Sequence, residues 1–446
     1  MAYLFNTPED TQEMLQTIGA ASVEELFESI PESLRMDRPL DIPPAMAEME
    51  LTNHVSALAS KNLGVTNSVC FLGGGAYDHF VPAVVDNLAS RGEFYTSYTP
   101  YQPEVSQGNL QVMFEYETLI CQLTGMDVSN ASLYDGASAT IEAVTLAMAT
   151  ASKRSKVLIP ENLHPEYRQV VETYLQWTDW DVVQIPCPNG LLDQDELRSQ
   201  LDDQVGCVVL SQPNFFGLVE DHSGAAAAAK EVGAFVVAVA DMIGLGVLSS
   251  PGSWGADIVV GEGQPLGNPL QYGGPYLGVM ACRESFVRRM PGRIAGQTED
   301  RRGNRCWVLT LQTREQHIRR DKATSNICTN QGLFALRAAI YLSLCGPQGL
   351  KETAEHCAAK SYYLAERLAE LDRFELPFQG AFWREFVVRD RQGNVEQLLA
   401  DCQDQGVLAG LPLGRWYPQY DDCLLIAVTE KRTKQQLDQL VELFSN

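Results

Sequence analysis

The chain has 446 residues, of which 45% are hydrophobic, so it is long enough for two or three domains around a large buried core. Its 33 lysines and arginines against 57 aspartates and glutamates give a net charge of −24, which opposes binding to nucleic-acid phosphates and to anionic membranes. The 11 cysteines contain no CxxC pair and the six histidines form no cluster with carboxylates, so the sequence indicates reduced thiols and no metal site.

The first 65 residues have the pattern of a helical arm. Thr7 and Ser22 each precede an acidic residue by three positions, as in a capping box, and Gly19 and Pro31 are expected to end two short helices. The proline-rich stretch 38–44 predicts an extended strap, and residues 45–62 predict a further helix. The N-terminus lacks the basic and apolar regions of a signal peptide, and no run approaches the roughly 18 apolar residues that span a bilayer. We therefore expect a cytoplasmic protein without a membrane contact.

The segment 94–108 is the densest polar and aromatic stretch of the chain. Tyr95, Tyr98 and Tyr101 lie within seven residues, and prolines interrupt them, so the segment fits neither an amphipathic helix nor an alternating strand. A loop with several phenols is typical of an interface, where each ring is partly buried and each hydroxyl keeps a partner. A tyrosine-rich packing corner is the alternative.

Between residues 113 and 282, helical and strand-like patterns alternate. Short apolar runs separated by helical stretches predict a largely parallel sheet that is covered on both faces. These runs lie at 156–159, 182–185, 207–210, 235–240 and 258–260. We assign them to one large domain of residues 66–325.

The fourth of these runs ends in Asp241, placed as in a pyridoxal-phosphate (PLP) enzyme whose aspartate pairs with the pyridinium nitrogen. Such an enzyme needs a lysine about two dozen residues further on, to hold the PLP aldehyde as a Schiff base. No lysine occurs between Lys230 and Lys322, and the end of the next strand reads GEGQPLG. The chain has no amine to hold the cofactor there, so we expect that it does not perform PLP chemistry alone.

Three turns rich in small residues are further candidates for ligand contacts. Residues 134–140 open a helix whose dipole would favour a phosphate, although a cap formed by Asp135 or Ser138 is the alternative. Residues 212–217 follow a strand at the ligand-binding edge of a doubly wound sheet, but a structural turn explains them equally well. The glycines at 73–75 are not followed by GK[ST], so they predict a turn in close contact with a neighbour.

The last third of the chain begins with a basic connector. Arg319, Arg320 and Lys322 cluster within residues 314–326 of an otherwise acidic chain. Such a cluster is explained by solvated surface charge, by a contact with a carboxylate or phosphate, or by an ion-pair hub between domains. A long helix from about residue 330 follows. Two β-rich runs, 382–388 and 423–428, then alternate with helices near 395–402 and 434–444, which predicts a small α+β domain over residues 326–446.

Taken together, these segments resemble the glycine cleavage system P-protein family, and specifically subunit 1 of its two-subunit bacterial form. The motifs that carry the resemblance are GGGAYDHFVPAVV, YTPYQPEVSQGNLQ, NASLYDGASA, HPEYR, PNFFG, VAVADMIGLGVL, GADIVVGEGQPLG, GGPYLG and IRRDKATSNICTNQ. They cover almost the whole chain, and YTPYQPEVSQG and IRRDKATSNICT are long and specific. In this family, subunit 1 leaves the Schiff-base lysine to subunit 2, and Gln264 falls where that lysine would be.

The resemblance implies an α/β fold of the PLP-dependent transferase type (fold type I). We expect a three-layer αβα domain with a parallel-rich sheet, an N-terminal helical arm and a small C-terminal α+β domain. The implied activity, shared with subunit 2, is glycine dehydrogenase (decarboxylating): PLP-dependent decarboxylation of glycine, release of CO2, and transfer of the aminomethyl group to the lipoyl group of H-protein. Subunit 2 would carry the PLP, and the complex would contain two copies of each subunit.

The resemblance also implies that the active site lies near the contact between the two subunits. Phenols can donate to a substrate carboxylate without adding a charge, which favours the tyrosine loop. Our candidates for interface and substrate contacts are Tyr95, Tyr98, Tyr101, Gln102 and Arg319. The candidate remnants of a cofactor site are Ser138, His164, Asn214, Asp241 and Gln264. A free-standing PLP enzyme would need the missing lysine. A catalytically dead paralogue that acts as a structural or regulatory partner would share the fold, and it is the alternative function.

Overall fold

The structure is a computed structural model that describes residues 5–445, in two compact units, Met1–Leu63 and Gly64–Asn446. The first unit contains two α-helices, Pro8–Ile18 and Glu48–Ala59, and two short 3-10 turns, Glu24–Phe27 and Glu32–Leu34. Thr7 caps the first helix in a capping box with Asp10, and Gly19 ends it with a φ of 82°. Residues 38–44 are not helical. The predicted capping box at Thr7 and helix end at Gly19 are confirmed, and the proline-rich stretch is non-helical, as predicted, although its role as an extended strap stays a prediction. The second predicted helix is only the 3-10 turn Glu24–Phe27, and the third helix is shorter than predicted.

The described part of this first unit contains no buried residue. Large apolar side chains such as Leu34, Ile42 and Met49 are 75%, 70% and 74% exposed. A stretch of this composition has no core of its own there, so its apolar side chains are available to another surface.

The second unit is built on a seven-stranded sheet. Six strands run in one direction and the strand Gly278–Cys282 runs against them, so the predicted parallel-rich sheet is confirmed. In spatial order the strands are Val128–Ser129, Gly278–Cys282, Ile258–Glu262, Phe235–Ala240, Val205–Gln212, Lys156–Pro160 and Asp181–Ile185. Three α-helices precede these strands in the chain, Ala83–Ala89, Gly92–Tyr95 and Gln107–Thr124. The α-helices between the strands are Gly136–Thr150, Pro165–Leu175, Gln194–Gln200, Ser223–Glu231 and Pro251–Trp254.

Successive residues of the central strands pack into different cores. Val237 and Val239 join the cluster formed with the helices Gly136–Thr150 and Pro165–Leu175. Ala238 and Ala240 point to the opposite face, where the helices Gln107–Thr124 and Gly332–Ala369 contribute. This alternation follows from the period of two along a strand, and it produces the predicted three layers.

A second sheet lies near the C-terminus. It has four antiparallel strands in the order Phe374–Glu375, Glu385–Asp390, Cys423–Ala427 and Leu411–Pro412, together with the helices Val395–Asp404 and Lys434–Ser445. This matches the predicted α+β pattern. Val69–Cys70 pairs with Val407–Leu408, so two residues from before the large sheet join this part of the chain. The domain boundaries at 66 and 326 stay predictions.

Two features were not predicted. The strands Ile294–Glu299 and Arg305–Thr310 form an antiparallel hairpin just before the basic connector. The helix Gly332–Ala369 kinks at Gly346, which has a φ of 57° and precedes Pro347. By length and composition alone this helix could also cross a membrane. Its buried residues Ala338 and Leu342 pack in the core against the large sheet, whereas Leu364 and Leu368 pack with the second sheet.

Candidate functional site

A small cleft of about 70 Å3 lies at the edge of the large sheet where three parallel strands end, at Gln212, Ala240 and Glu262. This is the edge at which doubly wound sheets bind ligands. The side chains around the cleft come from both sheets. They include Tyr77, His164, Asn214, Asp241, Glu262, Arg384 and Glu385.

The dominant interaction in the cleft is an ion pair between Asp241 and Arg384. One carboxylate oxygen of Asp241 accepts a hydrogen bond from the Arg384 guanidinium. The other accepts from the backbone N–H groups of Ile243 and Gly244, at 3.0 and 2.8 Å. Asp241 therefore caps the following turn and also holds a cation.

Arg384 is held on every side. Its side chain is 2% exposed, it donates to His79 Nε2 at 3.0 Å, and its guanidinium lies 3.2 Å from the centroid of the Tyr77 ring. Its φ of 64° is in the left-handed region, which is uncommon for a residue with a side chain. Burial lowers the pKa of Arg384, but the charges of Asp241, Tyr77 and Glu385 outweigh it and raise the pKa above its ordinary value. The cation is therefore fixed in the cleft.

The next residue, Glu385, anchors the glycine turn. It accepts hydrogen bonds from the Gly74 N–H and from the Tyr77 hydroxyl, both at 2.7 Å. A Cβ at Gly73 would overlap the Glu385 carboxylate and the Ala427 side chain, so only glycine fits there. The prediction that this turn closely contacts a neighbour is confirmed.

Glu262 occupies the helix N-terminus at which the sequence could have placed a phosphate. One oxygen accepts from the Gly136 N–H at 2.9 Å, and the other from the N–H groups of Gln264 and Leu277 at 2.8 and 3.0 Å. Burial raises the pKa of Glu262 to about 7, against these donors, which favour the carboxylate. Asp135 caps the same helix by accepting from the Ser138 N–H at 2.7 Å. The cap alternative is thus correct, and the protein's own carboxyl group takes the anion position.

Gln264, at the position of the expected lysine, is 1% exposed and fully engaged. Its oxygen accepts from the Tyr77 N–H at 2.9 Å, and its nitrogen donates to the carbonyls of Tyr77 and Asn268 at 3.1 and 2.7 Å. These three bonds tie two distant chain segments together. A neutral side chain with both donor and acceptor groups does here what a lysine cannot.

Of the other predicted remnants of a cofactor site, two line the cleft and one does not. His164 lines the cleft: its Nδ1 accepts from the Glu166 N–H, so Nε2 carries the proton that is donated to the Gly74 carbonyl at 2.7 Å. Burial lowers the pKa of His164. Asn214 also lines the cleft, but its amide is already engaged. Its oxygen accepts from the N–H groups of Phe216 and Leu218 in its own turn, and its nitrogen donates to the Gly190 carbonyl and to the Glu220 carboxylate. Ser138 is outside the lining.

The cleft does not fit a bound PLP. Its aspartate already has a cation, its helix N-terminus already has a carboxyl group, and Gln264 stands at the place of the lysine. Its volume of about 70 Å3 is well below the ~300–1,000 Å3 typical of small-molecule pockets. Sequence reasoning missed Tyr77, Glu262, Arg384 and Glu385. The available signal was the charged pair Arg384-Glu385 inside an otherwise apolar run.

The tyrosine loop lies apart from this cleft and is open to solvent. Tyr95, Tyr98 and Tyr101 are 66%, 80% and 56% exposed, and Gln102 is also exposed. Tyr95 and Tyr98 border a separate cavity of about 240 Å3 that reaches Asn330. The interface role of these residues stays a prediction.

Arg319 is exposed and lies in a third place. It shares a recess of about 410 Å3 with four other cations, Arg288, Arg289, Arg314 and Lys322. Within residues 5–445 none of the five makes an ion pair, so the alternative of an ion-pair hub between domains finds no support there.

One group of potential metal ligands, His79, Cys357 and Glu430, was not found from the sequence. Their ligand atoms lie within 4.8 Å of one another. Because His79 Nε2 accepts from Arg384, its Nδ1 carries the proton, which it donates to Glu430 at 2.6 Å. Hydrogen bonding therefore accounts for this histidine, and the group extends the network around Arg384.

Restoring the lysine alone is expected not to restore cofactor binding. In a Gln264→Lys chain, Asp241 stays paired with Arg384 and the Gly136 N–H stays bonded to Glu262. The parent chain and the variant, each treated with PLP and borohydride and then mapped by peptide mass, should give no stoichiometric pyridoxyl adduct. An adduct at Lys230, at Lys322 or at position 264 would show instead that the chain can hold the cofactor.

The ion pair should also contribute strongly to stability. Arg384→Met leaves Asp241, whose side chain is 14% exposed, without its cation and is expected to cost about 3–5 kcal/mol of unfolding free energy. Adding Asp241→Asn should recover part of that loss, so the double variant costs less than the sum of the single ones in denaturant unfolding. Arg415→Met is the control, since its pair with Glu166 is exposed and should contribute less than about 1 kcal/mol. Additive losses at 241 and 384 would count against the pair.

Similarity to known proteins identifies the family of this chain. The family described as "Glycine cleavage system P-protein" matches residues 1–444. Two proteins named "Probable glycine dehydrogenase (decarboxylating) subunit 1", from Desulforamulus reducens and Chlorobium phaeobacteroides, are each 49% identical to this chain; the matches cover 99% of this chain and 98% and 99% of theirs.

Among solved structures, a glycine decarboxylase (P-protein) of the glycine cleavage system in inhibitor-bound form is 41% identical, with a TM-score of 0.91 over 100% of this chain and 99% of its own. A glutamate decarboxylase from Lactobacillus brevis, 12% identical with a TM-score of 0.70 over 94% and 96% of the two chains, shares the fold. The fold is that of the PLP-dependent enzymes of fold type I, and the chain belongs to the glycine cleavage system P-protein family.

Proposed function

We propose that this chain is the subunit of glycine dehydrogenase (decarboxylating) that lacks the Schiff-base lysine, and that it acts as a heteromer with subunit 2. Together the two subunits would decarboxylate glycine, release CO2 and transfer the aminomethyl group to the lipoyl group of H-protein. The observation that carries the proposal is the remnant cleft, in which Gln264 stands at the place of the lysine and side chains of the protein take both ionic contacts of a cofactor. The relatives named subunit 1 support it, because that name implies a second subunit.

The cofactor would accordingly be carried by subunit 2. PLP supplies an electron sink for the carbanion that decarboxylation leaves, and the cleft of this chain does not fit it. The contribution of this chain would be to complete and shield the partner's site. Excluding water there strengthens polar contacts to the substrate and limits side reactions.

The tyrosine loop is the surface that we assign to this role. Its tyrosines are 56–80% exposed in the isolated chain, and Pro100 and Pro103 restrict the backbone of the loop. Exposed aromatic side chains on a restrained loop lose little conformational freedom on binding, and each hydroxyl can donate one hydrogen bond. Tyr98, the most exposed of the three, is our first candidate for a contact with the carboxylate of glycine.

The arm of residues 5–63 supports an obligate complex. It carries many exposed large apolar side chains and no buried residue among those described, which is unusual for the surface of a free-standing protein. We propose two copies of each subunit, in the cytoplasm, with lipoylated H-protein as the acceptor.

Reconstitution tests this function directly. This chain and subunit 2, purified separately and together, are assayed for exchange of the glycine carboxyl group with bicarbonate in the presence of PLP and H-protein. We expect exchange only from the mixture, and light scattering should show a species larger than one copy of each chain. A monodisperse monomer that is unchanged by subunit 2, in a mixture without exchange, would support the alternative of a catalytically dead paralogue.

Tyr98→Phe tests the assigned surface. If the hydroxyl donates to the glycine carboxylate, its loss removes one charge-assisted hydrogen bond and leaves no cavity. The expected loss is about 1.5–3 kcal/mol in kcat/KM, or roughly ten- to more than a hundredfold, in steady-state decarboxylation by the reconstituted enzyme.

The control for this variant is Tyr174→Phe, which removes a hydroxyl that is similarly exposed but lies on the helix Pro165–Leu175. Assembly is measured separately, so that a weakened interface is not mistaken for lost chemistry. If Tyr98→Phe keeps activity within twofold of the parent in an intact complex, Tyr98 does not contact the substrate, and Tyr95, Tyr101 and Arg319 become the candidates.

A further inference from the structure

Arg293 is one of the two largest fully buried side chains in the described structure, and it lacks a counter-ion. It is 2% exposed, and no carboxylate oxygen within residues 5–445 lies within 4 Å of its guanidinium. Its hydrogen bonds are long, at 3.3 Å to Asn330 Oδ1 and 3.5 Å to the Tyr101 hydroxyl, and its Nε has no partner among the described residues. The guanidinium thus has spare donors as well as an uncompensated charge.

The other buried arginines among the described residues, Arg384 and Arg432, also have an Nε without a partner, but each of them has a counter-ion. Arg384 is paired with Asp241, and Arg432, whose side chain is 3% exposed, is paired with Asp78 at 2.6 Å. Arginine is almost never fully buried unless it is paired, because an uncompensated charge in the interior is strongly unfavourable. The nearby acid does not serve, since Glu117 accepts from the Ala295 N–H and burial raises its pKa well above the ordinary range.

The position of Arg293 shows from where a partner could come. The ring of Tyr101 lies over the guanidinium at 5.7 Å, and this tyrosine is 56% exposed. On the other side Asn330 is fixed by bonds from its Nδ2 to the Ala131 carbonyl and the Ser132 hydroxyl. The guanidinium therefore contacts both Asn330, which is held by these bonds, and Tyr101, which is partly exposed on the tyrosine loop.

We propose that Arg293, Asn330 and Tyr101 form a binding site for one carboxylate that the isolated chain does not supply. The planar fork of an arginine matches a carboxylate in two parallel hydrogen bonds, and the Tyr101 hydroxyl adds a third donor beside it. The inference rests on the proposed function, because it places this site behind the surface that faces subunit 2. The carboxylate comes either from glycine or from an acidic side chain of subunit 2, and the two sources predict different measurements.

The test uses Arg293→Lys, Arg293→Met and Tyr101→Phe in the full chain, alone and reconstituted with subunit 2. If glycine supplies the carboxylate, KM for glycine rises about ten- to a hundredfold while assembly is unchanged. If subunit 2 supplies it, the dissociation constant of the complex rises by a similar factor while KM in the assembled enzyme is unchanged. Tyr101→Phe should change the same quantity in the same direction, by a smaller factor, and it tests the site even if a substitution at Arg293 prevents folding.

Arg432→Met is the matched control, because it removes a buried arginine whose carboxylate lies in the chain. It should lower the melting temperature of the isolated chain, whereas Arg293→Met should leave it unchanged or raise it, since it removes an uncompensated charge. An equal loss of melting temperature in the two variants, with neither KM nor assembly changed by Tyr101→Phe, would overturn the carboxylate site. Absence of exchange activity in the parent mixture would instead count against the proposed function. The dissociation constants of the parent and variant complexes could still be compared, because they do not depend on activity.

Discussion

The ion pair between Asp241 and Arg384 is the constraint on which the rest of the remnant cleft depends. A strand of the large sheet delivers a carboxylate to a buried edge, and an unpaired charge there would cost several kcal/mol. In a PLP enzyme the pyridinium nitrogen of the cofactor neutralises that aspartate. Here the second sheet supplies the cation, so the two sheets are held together by the interaction that takes the cofactor's place. The left-handed backbone of Arg384 and the restriction to glycine at Gly73 both serve this placement.

The cofactor contacts are replaced by groups of the chain itself. Glu262 takes the helix N-terminal amide that would suit a phosphate, and Gln264 bridges two segments where the lysine would stand. Each replacement gives a hydrogen-bond partner to a buried polar group that would otherwise lack one. Loss of the lysine alone would have left an empty site with unpaired ions. In the observed cleft, the charges are instead neutralised by side chains of the protein and the volume is small. A single substitution is therefore not expected to restore PLP binding.

Most of the fold could be predicted because it depends on local patterns. Apolar runs such as 235–240 identified buried strands, and the capping box at Thr7 marked a helix start that the structure confirms. Asp241 could be selected because it ends such a run. Arg384 could not be, since its role depends on a contact between residues 143 positions apart, and no local pattern encodes that contact. The Asn214 turn shows the opposite error: its amide has the residue type and place of a ligand contact, but bonds within the chain already engage it.

Arg384 and Arg293 differ in whether the described part of the chain itself supplies a counter-ion for a buried arginine. Arg384 has an internal carboxylate, a stacked ring and a histidine acceptor, so its charge needs no counter-ion from outside the chain. Arg293 has comparable burial but only long bonds to neutral groups, next to the exposed tyrosine loop. Because folding does not favour an uncompensated buried charge, its presence is explained by a partner that arrives later. The cofactor cleft is thus filled by side chains of the chain itself, and the surface around Tyr101 is where we propose that this chain acts in a complex.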